Sequence, residues 1–125
     1  RLGNLVRQTS GRPRPLERLA VKKDGESVVV RTDSIDWIEA QANYVRLYCG
    51  PETHLVRRSL RSLEEALDPF QFARIHRTVI VNADRIRRLV PWSHGDMKVT
   101  LEGGTELNLS RRYRERLERI VAGVR

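Results

Sequence analysis

The chain has 125 residues, a formal net charge of +8, 21 arginines against three lysines, and a single cysteine, Cys49. That length supports one domain with one real core, while one cysteine and three scattered histidines exclude a disulfide framework and argue against a structural zinc site. No run approaches the ~18 apolar residues of a membrane span and no signal peptide is visible, so a reducing, cytoplasmic setting is expected.

In chain order, residues 1–15 form a separate zone with two prolines, Pro13 and Pro15, and no apolar period. They read as a linker, or as the end of an upstream segment closed by Leu2, Leu5 and Val6; a chain that starts at Arg1 is expected to be part of a longer protein. The domain proper is expected from residue 16 to 125. Leu16, Arg18 and Ala20 alternate with Glu17, Leu19 and Val21, and Asp24-Gly25 then predicts a hairpin turn. Ser27 to Thr32, Ile35 to Ala40, Asn43 to Cys49 and Thr53 to Arg57 follow as strands. In the third of these, Val45, Leu47 and Cys49 share one face and Tyr44, Arg46 and Tyr48 the other.

The period then changes. Leu60, Leu63 and Leu67 predict a helix, with Ser59 as its N-cap, Ser62 and Glu65 as an alternative capping box, and Asp68-Pro69 as its stop. Phe72 to Asn82 puts Arg74, His76 and Arg77 before a β-branched run, so that Ile75, Val79 and Val81 anchor the segment while a turn presents Arg77. Ile86 to Trp92 and Asp96 to Leu101 read as strands around a Ser93-His94-Gly95 turn, and Gly103-Gly104 leads into Glu106 to Leu109. Ser110 is placed to cap a last helix with the apolar stripe Tyr113, Leu117, Ile120, Val121 and Val124. The expected fold class is mostly β: short antiparallel sheets, one inserted helix and one C-terminal helix.

No catalytic constellation emerges. His54, His76 and His94 lack metal-ligand spacing, and no nucleophile elbow or phosphate-cradling glycine loop is present. Glu64 and Glu65 lie on the outside of the predicted helix, which does not assemble a carboxylate pair in a cleft. The basic residues cluster instead, at Arg57-Arg58-Arg61, Arg74-His76-Arg77, Arg85-Arg87-Arg88 and Arg111-Arg112-Arg114. Several of these sit at turns and strand ends, where an arginine fork can reach a guanine edge or a phosphate. No enzyme activity, cofactor, metal or small-molecule substrate is expected.

Three segments together resemble the LytTR-type DNA-binding domain, an output module of bacterial response regulators. They are Ile35-Asp36-Trp37-Ile38-Glu39-Ala40 leading to Asn43-Tyr44-Val45, then Phe72 to Asn82, then Ser110-Arg111-Arg112-Tyr113, with Ser62-Leu63-Glu64-Glu65 and Leu67 between the first two. Thr78 stands where the family more often has serine. The resemblance implies an elongated β fold whose loops enter successive major grooves of bent double-stranded DNA. Carried onto this chain, it implies base reading by Asn43, Tyr44, Arg77, Arg111 and Arg112. It implies turn support by His76, Thr78 and Asn82; Arg74 and Arg114 are expected at phosphates on charge and placement. The first amides of the last helix also offer a positive terminus to a phosphate.

The implied partners are a promoter site of direct-repeat type, a second copy on DNA, and an upstream receiver or membrane sensor domain. Two other classes compete: an RNA- or single-strand-binding module, for which Tyr44 and Tyr48 share a face, and a protein-interaction module with non-specific phosphate affinity. Cys49, facing Val45 and Leu47, reads as core packing rather than a redox sensor.

Overall fold

The computed structural model describes residues 14–123; residues 1–13 of the expected linker, and Val124 of the expected helical stripe, lie outside them. Among the described residues, ten strands form three antiparallel sheets. β1 (Arg18–Lys23) and β2 (Glu26–Arg31) make a hairpin around Asp24-Gly25, both with positive φ, the geometry an Asp-Gly hairpin turn favours. β3 (Trp37–Gln41), β4 (Tyr44–Cys49), β5 (Glu52–Val56), β6 (Phe72–His76) and β7 (Val79–Asn82) form the central sheet, in the order β5-β4-β3-β7-β6. β8 (Ile86–Pro91), β9 (Met97–Leu101) and β10 (Glu106–Leu109) form the third.

The central sheet separates two apolar clusters. On one side, Ile38, Val45, Leu47, Phe72 and Ile80 pack against the β1–β2 hairpin and helix α1 (Leu60–Ala66) through Leu19, Val21, Leu60 and Leu63. On the other, Ala73, Ile75, Val79 and Val81 pack against Val99, Leu107 and Leu109 of the third sheet and Leu117 of helix α2 (Arg111–Val121). β7 is buried along its whole length, which explains why Val79-Ile80-Val81 reads as a continuous apolar run rather than an alternation. The anchoring expected of Ile75, Val79 and Val81 holds, since all three are buried.

Three local expectations are corrected. Ser59 caps α1 by accepting from the Ser62 amide (3.0 Å), whereas Ser62 donates its hydroxyl to the Ser59 carbonyl (2.9 Å), so the alternative capping box does not form. Ser110 occupies the N-cap position of α2, but its side chain makes no capping bond. Of the expected stripe, Leu117 is fully buried and Tyr113 and Ile120 pack partly, while Val121, in the last turn of the helix, is exposed.

Candidate nucleic-acid interface

Strand register brings the first two signature segments together. β3 and β4 are joined by the two-residue turn Ala42-Asn43, with Ala42 at φ +53°. β6 and β7 are joined by Arg77-Thr78. Because β3 pairs with β7 in the register Glu39↔Val79, and the Ala40 amide donates to the Thr78 carbonyl (2.9 Å), the two tips lie side by side. The third segment joins them through β6: the Ser110 amide donates to the Ile75 carbonyl (2.9 Å), which holds the start of α2 beside the last residues before the Arg77 turn.

The Arg77 turn is tied from three directions. The Arg74 side chain runs back along its own hairpin, donating from Nε to the His76 carbonyl (3.0 Å) and from Nη2 to the Arg77 carbonyl, while Nη1 meets Glu64 of α1 at 2.7 Å. The Thr78 amide donates to His76 Nδ1 (3.3 Å), and the Thr78 hydroxyl lies 3.0 Å from the same nitrogen. An amide can only donate, so Nδ1 is the acceptor of that bond. Arg77 itself is exposed and, among the described residues, makes no ion pair or hydrogen bond through its guanidinium.

The arginines therefore differ in how their donors are employed. Arg77 and Arg111 project without a protein partner for the guanidinium, and Arg112 lies 5.6 Å from the Tyr113 ring centroid. Arg114, half-buried, donates to Glu118 (3.2 Å) and to the Gly95 carbonyl (3.4 Å), and Arg74 is spent as described above. Asn43 and Tyr44 are exposed, with the Arg57 guanidinium 5.8 Å from the Tyr44 ring. Asn82 is fully buried away from the Arg77 tip: it donates to the Ile35 carbonyl (2.8 Å) and accepts from the Asp84 amide (3.0 Å). It fixes the turn after β7 and the chain leading into β3.

At the start of α2, where a phosphate is expected, one amide already has an acidic partner. Asp96, from the β8–β9 turn, accepts from the Arg111 amide at 2.8 Å. Its carboxylate takes the place an anion would take. Sequence reading also missed a groove beside the Arg77 turn, lined by His76, Trp92, His94, Lys98, Asn108 and Ser110. Trp92 is two-thirds exposed, with the Lys98 ammonium 4.9 Å from its ring centroid. The signal was available in part, because folding the Ser93-His94-Gly95 turn into a hairpin brings Trp92 near Lys98; that this hairpin leans on α2 was not.

Two shifted groups lie outside this end of the molecule. Burial pushes the Cys49 thiol above its ordinary value, against a lowering hydrogen bond from Ser34, which keeps it protonated and suits a packing role. Burial, then the bond to Glu39, raises the Tyr48 hydroxyl. The Tyr48 ring stacks on Trp37 at 3.9 Å and 3°. No helix among the described residues is long and apolar enough to cross a membrane.

Arginine-bearing segments thus gather at one end of a sheet covered on both faces. The family model of the LytTr DNA-binding domain matches residues 25–122. The chain belongs to that family, whose domains serve DNA binding in transcription regulation. It is 24% identical over 104 residues to the sensory transduction protein LytT of Bacillus subtilis, covering 83% of this chain and 43% of that protein. A response regulatory protein of Vibrio cholerae is 33% identical over 88 residues, covering 67% of this chain and 34% of its own length. The transcriptional regulatory protein YpdB of Escherichia coli is 28% identical over 90 residues, covering 68% and 37%. A solved LytTr DNA-binding domain from Bacillus cereus shares the fold with a TM-score of 0.76 at 21% identity, over 85% of this chain and 97% of that one. The chain thus spans less than half the length of the curated relatives it matches.

Proposed function

We propose that this domain binds double-stranded DNA sequence-specifically, by turns that enter successive major grooves, as the output domain of a bacterial transcription regulator. The observation that carries the reading is the convergence of three turns at one end of the sheet, with the exposed Arg77, Arg111 and Arg112 free of ion pairs. Free arginine forks on tied turns are suited to bidentate contact with guanine edges, each worth ~1–3 kcal/mol of discrimination. In this reading Asn43, Tyr44, Arg77, Arg111 and Arg112 read bases, and Arg114 meets a phosphate from the first turns of α2. Arg74 serves the turn rather than the backbone, since three of its donors are already engaged. His76 and Thr78 set the Arg77 turn, and Asn82 the scaffold beneath it.

The domain acts by binding and not by catalysis. Single-strand binding is disfavoured, because Tyr48 is spent on Trp37 instead of offering a ring to a base. In the longer protein, an upstream receiver or membrane sensor would place two copies on a direct-repeat promoter site. The test is selection from a randomised duplex pool at two salt concentrations. Recovery of paired short motifs about one helical turn apart, surviving the higher salt, supports the reading. Binding that enriches no motif and vanishes with salt reduces it to phosphate attraction.

A further inference from the structure

The β8–β9 hairpin tip is built onto the start of α2 by three contacts. Asp96 Oδ1 accepts from the Arg111 amide (2.8 Å), the Gly95 carbonyl accepts from Arg114 (3.4 Å), and the Arg111 side chain lies directly over Gly95. A Cβ at Gly95 would come within 2.5 Å of Arg111 Cδ, so a side chain there would push the Arg111 side chain aside, and at φ +87° the backbone favours glycine. Ser110 leaves its capping position unused. The first turn of α2 therefore takes its cap from a residue on another element, 15 positions earlier in the chain.

We propose that Asp96 and Gly95 are positioning residues for sequence reading: they set where Arg111 and Arg112 point, without touching DNA bases themselves. A helix start without its cap frays, and an arginine on a frayed turn loses the fixed geometry that bidentate contact needs. An acidic residue this near a DNA-binding surface opposes affinity on charge alone. Its place on the Arg111 amide gives it a use that outweighs that cost: fixed aim for the two arginines. The inference rests on the proposed base-reading role of Arg111 and Arg112.

The test compares Asp96→Ala, Asp96→Asn and Gly95→Ala with the unaltered domain in two measurements. The first is the motif selected from a randomised duplex pool, together with affinity for a scrambled duplex. Asp96→Ala should lose about tenfold in discrimination, only at the base positions that Arg112→Ala also loses, while the positions lost in Arg77→Ala stay intact. Affinity for the scrambled duplex should be unchanged or higher, because a negative charge has gone. Asp96→Asn should restore the motif, because its amide oxygen still accepts from Arg111. Gly95→Ala should behave as Asp96→Ala does. The second is hydrogen exchange of the Arg111 amide, expected to speed up by roughly tenfold or more in Asp96→Ala and not in Asp96→Asn.

An unchanged motif in Asp96→Ala overturns the proposal. So does an even loss across all motif positions accompanied by a lower melting temperature, which would mark Asp96 as a stability residue only. If the unaltered domain selects no motif, it is the sequence-reading function that fails. The exchange measurement then decides by itself whether Asp96 holds the helix start, and unaltered exchange in Asp96→Ala refutes that.

Discussion

Replacing Arg74 by alanine separates two physical roles for a basic residue beside the turn proposed to read DNA. The Arg74 side chain is 17% exposed and engages the His76 carbonyl, the Arg77 carbonyl and Glu64. Hydrogen bonds from a charged donor contribute ~1.5–3 kcal/mol each, and the two carbonyls here lie on a partly wet turn, which places them at the low end. The Glu64 carboxylate is 44% exposed, so its pair adds less than ~1 kcal/mol. Water recovers part of what the freed carbonyls lose. The net expectation is about 2–3 kcal/mol of destabilisation, which for a domain of this size lowers the melting temperature by roughly 10 °C.

The same substitution loosens the Arg77 turn, so the selected motif should fade at the positions that Arg77 reads while the Arg112 positions persist. Thermal unfolding and duplex selection on one protein sample measure both effects. An unchanged melting temperature, together with an even loss of affinity and a salt slope reduced by about one, would refute the bracing argument. That outcome would identify Arg74 as a phosphate contact.

Arg112→Ala should lose discrimination at particular bases, whereas Arg114→Ala should weaken all duplexes evenly; selection followed by titration distinguishes them. Asn82→Ala leaves the buried Ile35 carbonyl and the Asp84 amide without their partner, at a cost of about 2–4 kcal/mol, readable as a lower urea midpoint with unchanged m. Thr78→Ser keeps the hydroxyl beside His76 Nδ1 and should leave stability and motif within error. Thr78→Val removes it and should cost about 1 kcal/mol and blur the motif at the Arg77 positions.

Much of the fold was legible because alternation reports burial directly. Val45 and Leu47 are buried as the period-two pattern of β4 requires, and the Asp24-Gly25 turn sets the β1–β2 register. The position of Arg77 on a turn, and of Arg111 and Arg112 at a helix start, was legible too, since the β-branched run after Arg77 and the helical period after Arg112 bound those places. What the chain could not disclose was the employment of each polar side chain. Arg74 and Arg77 are chemically alike and three residues apart, yet one faces Glu64 of another element and the other faces out. That difference depends on where α1 packs, which no local pattern encodes. The cap of α2 failed in the same way. Ser110 has the right chemistry in the right place yet makes no capping bond, and Asp96, from a distant hairpin, accepts from the Arg111 amide.

The charge pattern of α2 argues for reading by turns over reading by an inserted helix. Its solvated face carries Glu115 and Glu118 among its arginines, Glu118 is paired with Arg114, and Asp96 adds a carboxylate at its first amide. A helix laid along the major groove would press those acids toward phosphates on both sides, a repulsion that specific contacts would have to overcome. In the proposed reading α2, held against the sheet by the fully buried Leu117, would offer DNA its first turn alone. On that reading Glu115 would stand back from the bases but within the field of the backbone. Glu115→Gln should therefore raise affinity for every duplex about equally, by roughly twofold at low salt and less at higher salt, and leave the selected motif unchanged. A motif that shifts at defined bases when Glu115 is neutralised would mean that the body of the helix, and not only its first turn, lies in the groove.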